Sequence, residues 1–276
     1  MGVIYDYQDY YRMIGLKASD QKGGYSPTES EKKKVMRQPG LFKLSWDWVF
    51  HTIQWEWQFA GRPTTFIRLH MCNLQCSRCD ARYTRKRDTK EFYTEPSDIS
   101  IDELMQKIID AQDKSNTRCR DITITWWEPL LQQRTIILFL EKYWDNFDRI
   151  QIETNWTIPL LKEIQNNEKV YFNCSPKLET SWNDMKLRYR ENVLKQIQET
   201  GRSIFKFVFT NNTDIDDIWQ NYSFIDKHNI RVMPEWVLVD EHRQVFDNTI
   251  DYIVSSWYNV AIRCQSIMWD WAKRGV

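Results

Sequence analysis

The chain has 276 residues, which is enough to bury the core of one large α/β domain. Lysine and arginine together number 38, as do aspartate and glutamate, so no overall field draws the protein to nucleic acid or to a membrane surface. We find no secretory signal and no apolar run of membrane-spanning length in the sequence, and we expect a soluble, cytoplasmic protein. Glycine is scarce at 8 residues, whereas tryptophan reaches 14.

Residues 1–44 are predicted to form an N-terminal extension that is partly loop or disordered. Its segment 17–40 is polar and contains a Gly-Gly pair, a Ser-Pro pair and a run of three lysines. Residues 45–276 are predicted to form one domain, because short β-rich runs alternate there with helical stretches. A capping box that starts at Ser100 and includes Glu103 marks the beginning of the first of these helices.

Six parallel strands are predicted for this domain, at residues 64–69, 121–125, 149–154, 170–174, 204–210 and 231–234. Helices are predicted near residues 101–111, 132–144, 157–167, 186–199, 214–227 and 241–256. This order of elements predicts an α/β fold, an open, partial (β/α) barrel of about six parallel strands. Sites in such barrels lie at the C-terminal ends of the strands, which is where the unusual motifs of this chain fall.

The loop after the first predicted strand carries three cysteines, Cys72, Cys76 and Cys79, close enough in sequence to converge on one centre. A closed structural zinc site uses four protein ligands. A cubane iron–sulfur cluster held by three cysteines instead keeps one iron open to a small molecule. On the cysteines alone, the cluster and a zinc loop with His70 as fourth ligand are both open.

Four further motifs flank these cysteines in chain order. They are Gln54-Trp55-Glu56-Trp57, Thr125-Trp126-Trp127-Glu128-Pro129-Leu130-Leu131-Gln132, Glu153-Thr154-Asn155-Trp156-Thr157 and Ser175-Pro176-Lys177. Over residues 45–276 the chain thereby resembles the radical S-adenosylmethionine enzymes and, within them, the 7-carboxy-7-deazaguanine synthase family. The corresponding family segments read Gln-Gly-Glu-Gly, Thr-Gly-Gly-Glu-Pro-Leu-Leu-Gln, Glu-Thr-Asn-Gly-Thr and Ser-Pro-Lys.

The resemblance implies a partial barrel, usually a homodimer, that binds a [4Fe–4S] cluster, S-adenosylmethionine and magnesium. The implied reaction begins with reductive cleavage of S-adenosylmethionine at the cluster, with an external electron donor as the source of the electron. The resulting radical abstracts hydrogen from 6-carboxytetrahydropterin, and a magnesium-assisted ring contraction expels ammonia. The product, 7-carboxy-7-deazaguanine, is a precursor of queuosine and other 7-deazapurines.

Several residues match the functional positions of this family, although no catalytic residue is assigned. Cys72, Cys76 and Cys79 match the cluster ligands. Arg68 could pair bidentately with a substrate carboxylate and Glu128 could accept from an ammonium group; a surface ion pair and a carboxylate at a helix N-terminus are the alternatives. The implied substrate positions are Gln54, Glu56 and Arg68, and the implied S-adenosylmethionine positions are Thr125, Glu128, Asn155, Ser175 and Lys177.

The chain departs from the family at the motifs themselves. Tryptophan or methionine stands where the family has glycine at Trp55, Trp57, Met71, Trp126, Trp127 and Trp156, and Trp236 is expected to be a further case. Ala81 replaces the threonine whose hydroxyl binds magnesium, and Arg78 takes a position often held by tryptophan. Glycine at such turns supplies positive φ and lets a ligand touch the backbone, whereas an indole brings on the order of 200 Å² of surface.

These departures predict that the chain as written keeps its cluster but has S-adenosylmethionine and substrate pockets filled by tryptophan, with little or no activity. One alternative is an active member of the family, with an unusual pocket or with glycine codons read here as tryptophan. Another is a non-catalytic iron–sulfur or zinc protein. A different radical enzyme such as an activase is disfavoured by the motifs at Gln54 and Ser175.

Overall fold

In the computed structural model of the chain, the described residues are 25–35, 38, 40–56, 58–77, 79, 89–94, 96–235 and 239–268. The predictions made for Trp57, Arg78, Ala81 and Trp236, and for residues 1–24 of the N-terminal extension, therefore lie outside the described residues. Among the helices that fall within these ranges, none is long and apolar enough to cross a membrane.

The described strands form one nine-stranded sheet in the order β3-β1-β2-β4-β5-β6-β7-β8-β9. Along the part of the sheet in the order β2-β4-β5-β6-β7-β8-β9, every pair of neighbouring strands is parallel. Strand β1 is antiparallel to both of its neighbours, β2 and β3. The strands are β1 Leu41–Ile53, β2 Pro63–Leu69, β3 Pro96–Ser100, β4 Asp121–Thr125, β5 Arg149–Thr154, β6 Val170–Cys174, β7 Ser203–Phe209, β8 Ile230–Pro234 and β9 Asn259–Val260.

The helices alternate with the parallel strands, as a partial (β/α) barrel requires. They are α1 Glu29–Lys34, α2 Lys90–Thr94, α3 Ile101–Asp113, α4 Gln133–Tyr143, α5 Lys162–Gln165, α6 Met185–Arg188, α7 Glu191–Gln198, α8 Asn212–Asn221, α9 Val239–Ser256 and α10 Cys264–Met268. The Ser100–Glu103 capping box is present at the start of α3. Leu104 of α3, Phe139 of α4 and Leu194 of α7 are buried in one core cluster with the strand residues.

All six predicted parallel strands are confirmed to within one residue at each end. Every residue of β4 is buried, which is typical of a parallel strand covered on both faces. The antiparallel β1 and β3 and the short β9 were not predicted. The predicted start of the barrel at residue 45 falls inside β1, and Phe42 and Leu44 of this strand are fully buried in the core.

The helix predicted at 214–227 is α8, which ends at Asn221 because the backbone leaves the helical conformation at Tyr222. Two further predicted helices are also shorter than expected. The stretch 157–167 forms only α5, because Pro159 has no N–H and the amides of Leu160 and Leu161 donate to the side chains of Gln196 and Gln133. The stretch 186–199 is divided into α6 and α7, since Tyr189 adopts an extended conformation between them. Both differences lie on the connections and leave the strand ends in register.

Candidate active site

The cysteine loop leaves the C-terminal end of β2 and presents sulfur atoms toward the loops that follow β5 and β6. Cys72 Sγ accepts hydrogen bonds from the Leu74 backbone N–H at 3.4 Å and from Asn155 Nδ2 at 3.6 Å. Cys76 Sγ accepts from Asn183 Nδ2 at 3.2 Å. Burial, with the neighbouring Cys76 as a lesser cause, raises the pKa of the Cys72 thiol to about 12. A bound cation favours the ionised form of such a thiol.

His70 does not serve this loop. Its side chain is fully buried, Nε2–H donates to the Phe92 carbonyl at 3.1 Å, and desolvation lowers the pKa of the ring to about 4. Within the described part of the chain, no three histidine, cysteine or acidic side chains surround a single metal-ion position. A cubane cluster holds its thiolates farther apart than a single ion does. The donor set therefore fits a cluster on three cysteines better than a zinc ion completed by His70.

Glu128 caps a turn in this structure, which is the arrangement given above as the alternative to accepting from an ammonium group. It is fully buried, and its two oxygens accept from the Thr154 hydroxyl, from the Leu130 N–H at 3.0 Å and from the Asn155 N–H at 2.7 Å. Glu128 thus caps the 3₁₀ turn Pro129–Gln132 and joins the β4 loop to the end of β5. Burial raises its pKa from 4.5 to about 7.

Lys177 and Ser175 lie at the end of β6, beside the sulfur loop. Lys177 Nζ donates to Ser175 Oγ at 2.8 Å, and the Ser175 N–H extends the sheet by donating to the Thr154 carbonyl at 2.8 Å. The positive charge of the Lys177 ammonium partly offsets the rise in the pKa of Cys72 and Glu128, because it lies near both groups. Lys177 and Ser175, together with Asn155, therefore meet at one end of the barrel as predicted.

Arg68 lies between aromatic rings at the end of β2. Its guanidinium carbon is 4.1 Å from the centroid of the Trp126 ring and 4.5 Å from that of Phe50, and the side chain is buried. Trp127 packs against Trp126 with ring centroids 5.3 Å apart. Because Arg68 is buried, its predicted alternative as a surface ion pair is wrong. The space beside the guanidinium is occupied by protein, in keeping with cation–π contact.

The predicted substrate positions converge on a buried polar cluster inside the barrel. Gln54 Nε2 donates to Gln151 Oε1 at 3.2 Å and to Glu153 Oε1 at 3.3 Å. Thr125 Oγ1 donates to Glu153 Oε2 at 2.5 Å. Burial, with the nearby Glu56 carboxylate as second cause, raises the pKa of Glu153. The ends of β1, β4 and β5 thereby bring three of the predicted residues together, Gln54, Glu56 and Thr125.

Two cations that the sequence analysis did not single out complete this cluster. Lys206 of β7 forms a buried ion pair with Glu56, and Arg263 Nε lies 3.1 Å from Glu56 Oε1. Desolvation lowers the pKa of Lys206. A lysine inside the apolar run of β7 was the available signal, because lysine is almost never fully buried unless it is paired.

The comparisons with known proteins point to a family of iron–sulfur proteins. The model of the 4Fe-4S single cluster domain matches residues 61–205, just over half of the chain. A 7-carboxy-7-deazaguanine synthase of Rickettsia prowazekii is 33% identical over 194 residues, which are 68% of this chain and 69% of the relative. The chain belongs to the 7-carboxy-7-deazaguanine synthase family. A member from Clostridium acetobutylicum is 25% identical over 82% of this chain and 96% of its own length.

Structural similarity supports the fold of this 7-carboxy-7-deazaguanine synthase family member. The crystal structure of QueE from Escherichia coli superposes with a TM-score of 0.57 and 19% identity, covering 87% of this chain and all of that one. At this level of identity the likeness establishes the partial-barrel fold alone.

The tryptophans of this family member occupy backbone conformations that suit glycine. Seven non-glycine residues among those described have positive φ, and five of them are tryptophan. The seven are Met71, Asn116, Trp126, Trp127, Trp156, Trp182 and Trp257. All three glycines that the structure describes, Gly40, Gly61 and Gly201, have positive φ as well. Trp182 and Trp257 lie outside every family motif, and their side chains are 83% and 82% exposed.

The indoles at the other motif positions point in different directions. Trp55 stacks on Phe66 with centroids 4.4 Å apart, and Phe66 stacks on Phe50, which in turn contacts Arg68. Trp55 and Trp126 therefore belong to one group of aromatic rings around Arg68. Trp156 was expected to crowd the substrate side, but it is fully buried in the core against Tyr189 and Tyr222.

Proposed function

We propose that the chain has the scaffold of a radical S-adenosylmethionine lyase of the kind that converts 6-carboxytetrahydropterin to 7-carboxy-7-deazaguanine. The observation that supports this most is that the cysteine loop, Asn155 and Lys177 meet at the C-terminal ends of the parallel strands, with the buried Gln54–Glu56 cluster inside the same barrel. Cys72, Cys76 and Cys79 would hold a [4Fe–4S] cluster, which supplies the electron that cleaves S-adenosylmethionine.

This chain's own residues bind and orient the two small molecules in the proposal. Lys177, Ser175 and Asn155 face S-adenosylmethionine beside the cysteine loop. Arg68 pairs with the substrate carboxylate, and Gln54, Glu56 and Thr125 bind the polar edge of the pterin ring. Lys206 and Arg263 pair with Glu56 and hold its side chain in place. We also propose an external electron donor and a homodimer.

With tryptophan at these positions, we propose that the chain is blocked at cofactor binding. Trp126 covers Arg68 and Trp127 lies against Trp126, where the family's glycine pair leaves room for ligand beside the backbone. Displacement of about 1 Å can cost a hundredfold in rate. Magnesium assistance is proposed to be lost with Ala81, which offers no side-chain oxygen to a cation that prefers oxygen ligands.

The positions of the tryptophans favour one explanation of them, that the native protein carries glycine there. Ablation of an active site has no reason to place tryptophan at Trp182 and Trp257, which lie outside every motif and are exposed at left-handed turns. A codon read as tryptophan in this sequence and as glycine in the cell accounts for both groups of sites. The native enzyme would then be an active 7-carboxy-7-deazaguanine synthase.

Calorimetry on anaerobically reconstituted protein tests the proposed block. The chain as written should show no S-adenosylmethionine binding, and the variant Trp126→Gly/Trp127→Gly should recover it. Trp257→Gly is the matched control, because it relieves the same backbone conformation at an exposed turn away from the motifs and from the cysteine loop. Micromolar affinity in the chain as written, or recovery by the control variant alone, would contradict the proposed steric block.

A further inference from the structure

The cysteine loop is docked onto a segment that no family motif includes, residues 179–183. The Ser77 N–H donates to the Ser181 carbonyl at 2.9 Å, and Ser77 Oγ donates to the Thr180 carbonyl at 3.3 Å. The segment is itself held by α8, since Thr180 Oγ1 donates to Asp214 Oδ1 at 2.8 Å. The cysteine loop is therefore hydrogen-bonded to a segment that α8 holds in place.

Within this segment, the amide of Asn183 bridges the loop backbone and a sulfur atom. Its Oδ1 accepts from the Gln75 N–H at 2.8 Å, and its Nδ2 lies 3.2 Å from Cys76 Sγ. Because a backbone N–H can only donate, Oδ1 must face Gln75, and the amide orientation that puts the NH₂ group on the sulfur is determined. The second N–H reaches Ser181 Oγ at 3.2 Å.

We propose that Asn183 is a positioning residue that raises the reduction potential of the cluster through an N–H···S hydrogen bond to Cys76. Hydrogen bonds to the ligand sulfurs are among the factors that set such potentials. The donor stabilises the reduced cluster more than the oxidised one, because the reduced cluster carries one more negative charge. This inference rests on the proposed cluster at Cys72, Cys76 and Cys79 and adds a residue that controls how easily it accepts the electron.

Two substitutions separate the sulfur contact from the anchoring of the loop. Asn183→Asp keeps an acceptor for the Gln75 N–H but has no N–H for Cys76. Asn183→Ala removes both contacts without adding charge. Ser77→Ala is the matched control, because it loses a loop anchor made through oxygen, and Asn146→Ala tests an exposed asparagine away from the loop.

Iron and sulfide analysis and a redox titration followed by electron paramagnetic resonance are made on each reconstituted protein. We expect full loading in all five proteins. At a fixed potential, the ratio of reduced to oxidised cluster should fall about tenfold in Asn183→Asp, which is 59 mV for a one-electron couple. It should fall in the same direction but less in Asn183→Ala, and remain unchanged in both controls.

Unchanged potentials in both Asn183 variants, or an equal shift in Ser77→Ala, would overturn the inference. Loss of iron from both Asn183 variants while Ser77→Ala loads fully would also overturn it, because Asn183 would then have only a structural role. A parent chain that binds no iron would refute the proposed cluster itself, so the iron analysis distinguishes the two failures.

Discussion

Replacing Trp257 by glycine should stabilise the protein, and the effect can be worked from the structure. Trp257 follows α9 with φ 61°, and its side chain is 82% exposed. A non-glycine residue in this region costs roughly 1–2 kcal/mol. The greater freedom of glycine in the unfolded chain opposes this by about 0.4–1 kcal/mol. Since little apolar surface is lost, we expect a net gain of about 0.5–1 kcal/mol in the free energy of unfolding.

The assay is urea unfolding of apo protein under reducing conditions, with two control variants. Trp257→Ala removes the same indole but keeps a Cβ at positive φ, so its stability should stay within about 0.5 kcal/mol of the parent. Trp219→Gly removes an exposed indole from the helix α8 and should destabilise by about 1 kcal/mol. A Trp257→Gly variant no more stable than Trp257→Ala would refute the argument that glycine belongs at this turn.

Three further predictions address the site. Reconstituted protein should contain about four iron and four sulfide per chain, and stoichiometric zinc without charge-transfer absorption would contradict this. Burial raises the pKa of Glu128 from 4.5 to about 7, so between these two pH values the folded state holds a proton that the unfolded state has lost. The free energy of unfolding should therefore decline as pH rises from 4.5 to 7, and this decline should be smaller in Glu128→Gln. Lys206→Met should destabilise by about 3 kcal/mol in urea unfolding, because it removes one of the two cations that pair with the buried Glu56 carboxylate. Adding Glu56→Gln to Lys206→Met should recover part of that loss. A double variant that is no more stable than Lys206→Met would count against the ion pair.

The parallel strands could be predicted from sequence because each is a short apolar run bounded by turn residues. Strands β4, β5 and β6 match their predicted bounds to the residue. The antiparallel β1 was not predicted, because its register with β2 shifts between Leu44 and Val49 and this shift breaks the alternating pattern along the strand. Helix ends were less predictable, since side chains such as Gln196 take backbone donors that periodicity alone assigns to a helix.

For the site, motif spacing located the cysteines and the strand ends, but contacts between distant segments were out of reach. Asn183 and Arg263 stand in no motif, and only the folded chain brings them to Cys76 and Glu56. The ring direction of Trp156 was also not predictable, because it depends on the space between Tyr189 and Tyr222. The left-handed turns at Trp182 and Trp257 became visible only through their φ angles.

Product formation by a chain with glycine restored tests whether tryptophan at the glycine positions blocks the active site. Glycine is placed at 55, 57, 71, 126, 127, 156, 182, 236 and 257 and threonine at 81, and the protein is reconstituted anaerobically with S-adenosylmethionine, a reductant, magnesium and 6-carboxytetrahydropterin. We expect the restored chain to form 5′-deoxyadenosine and 7-carboxy-7-deazaguanine, and the chain as written to form neither. Product from the chain as written, or a restored chain that loads its cluster but cleaves no S-adenosylmethionine, would contradict it.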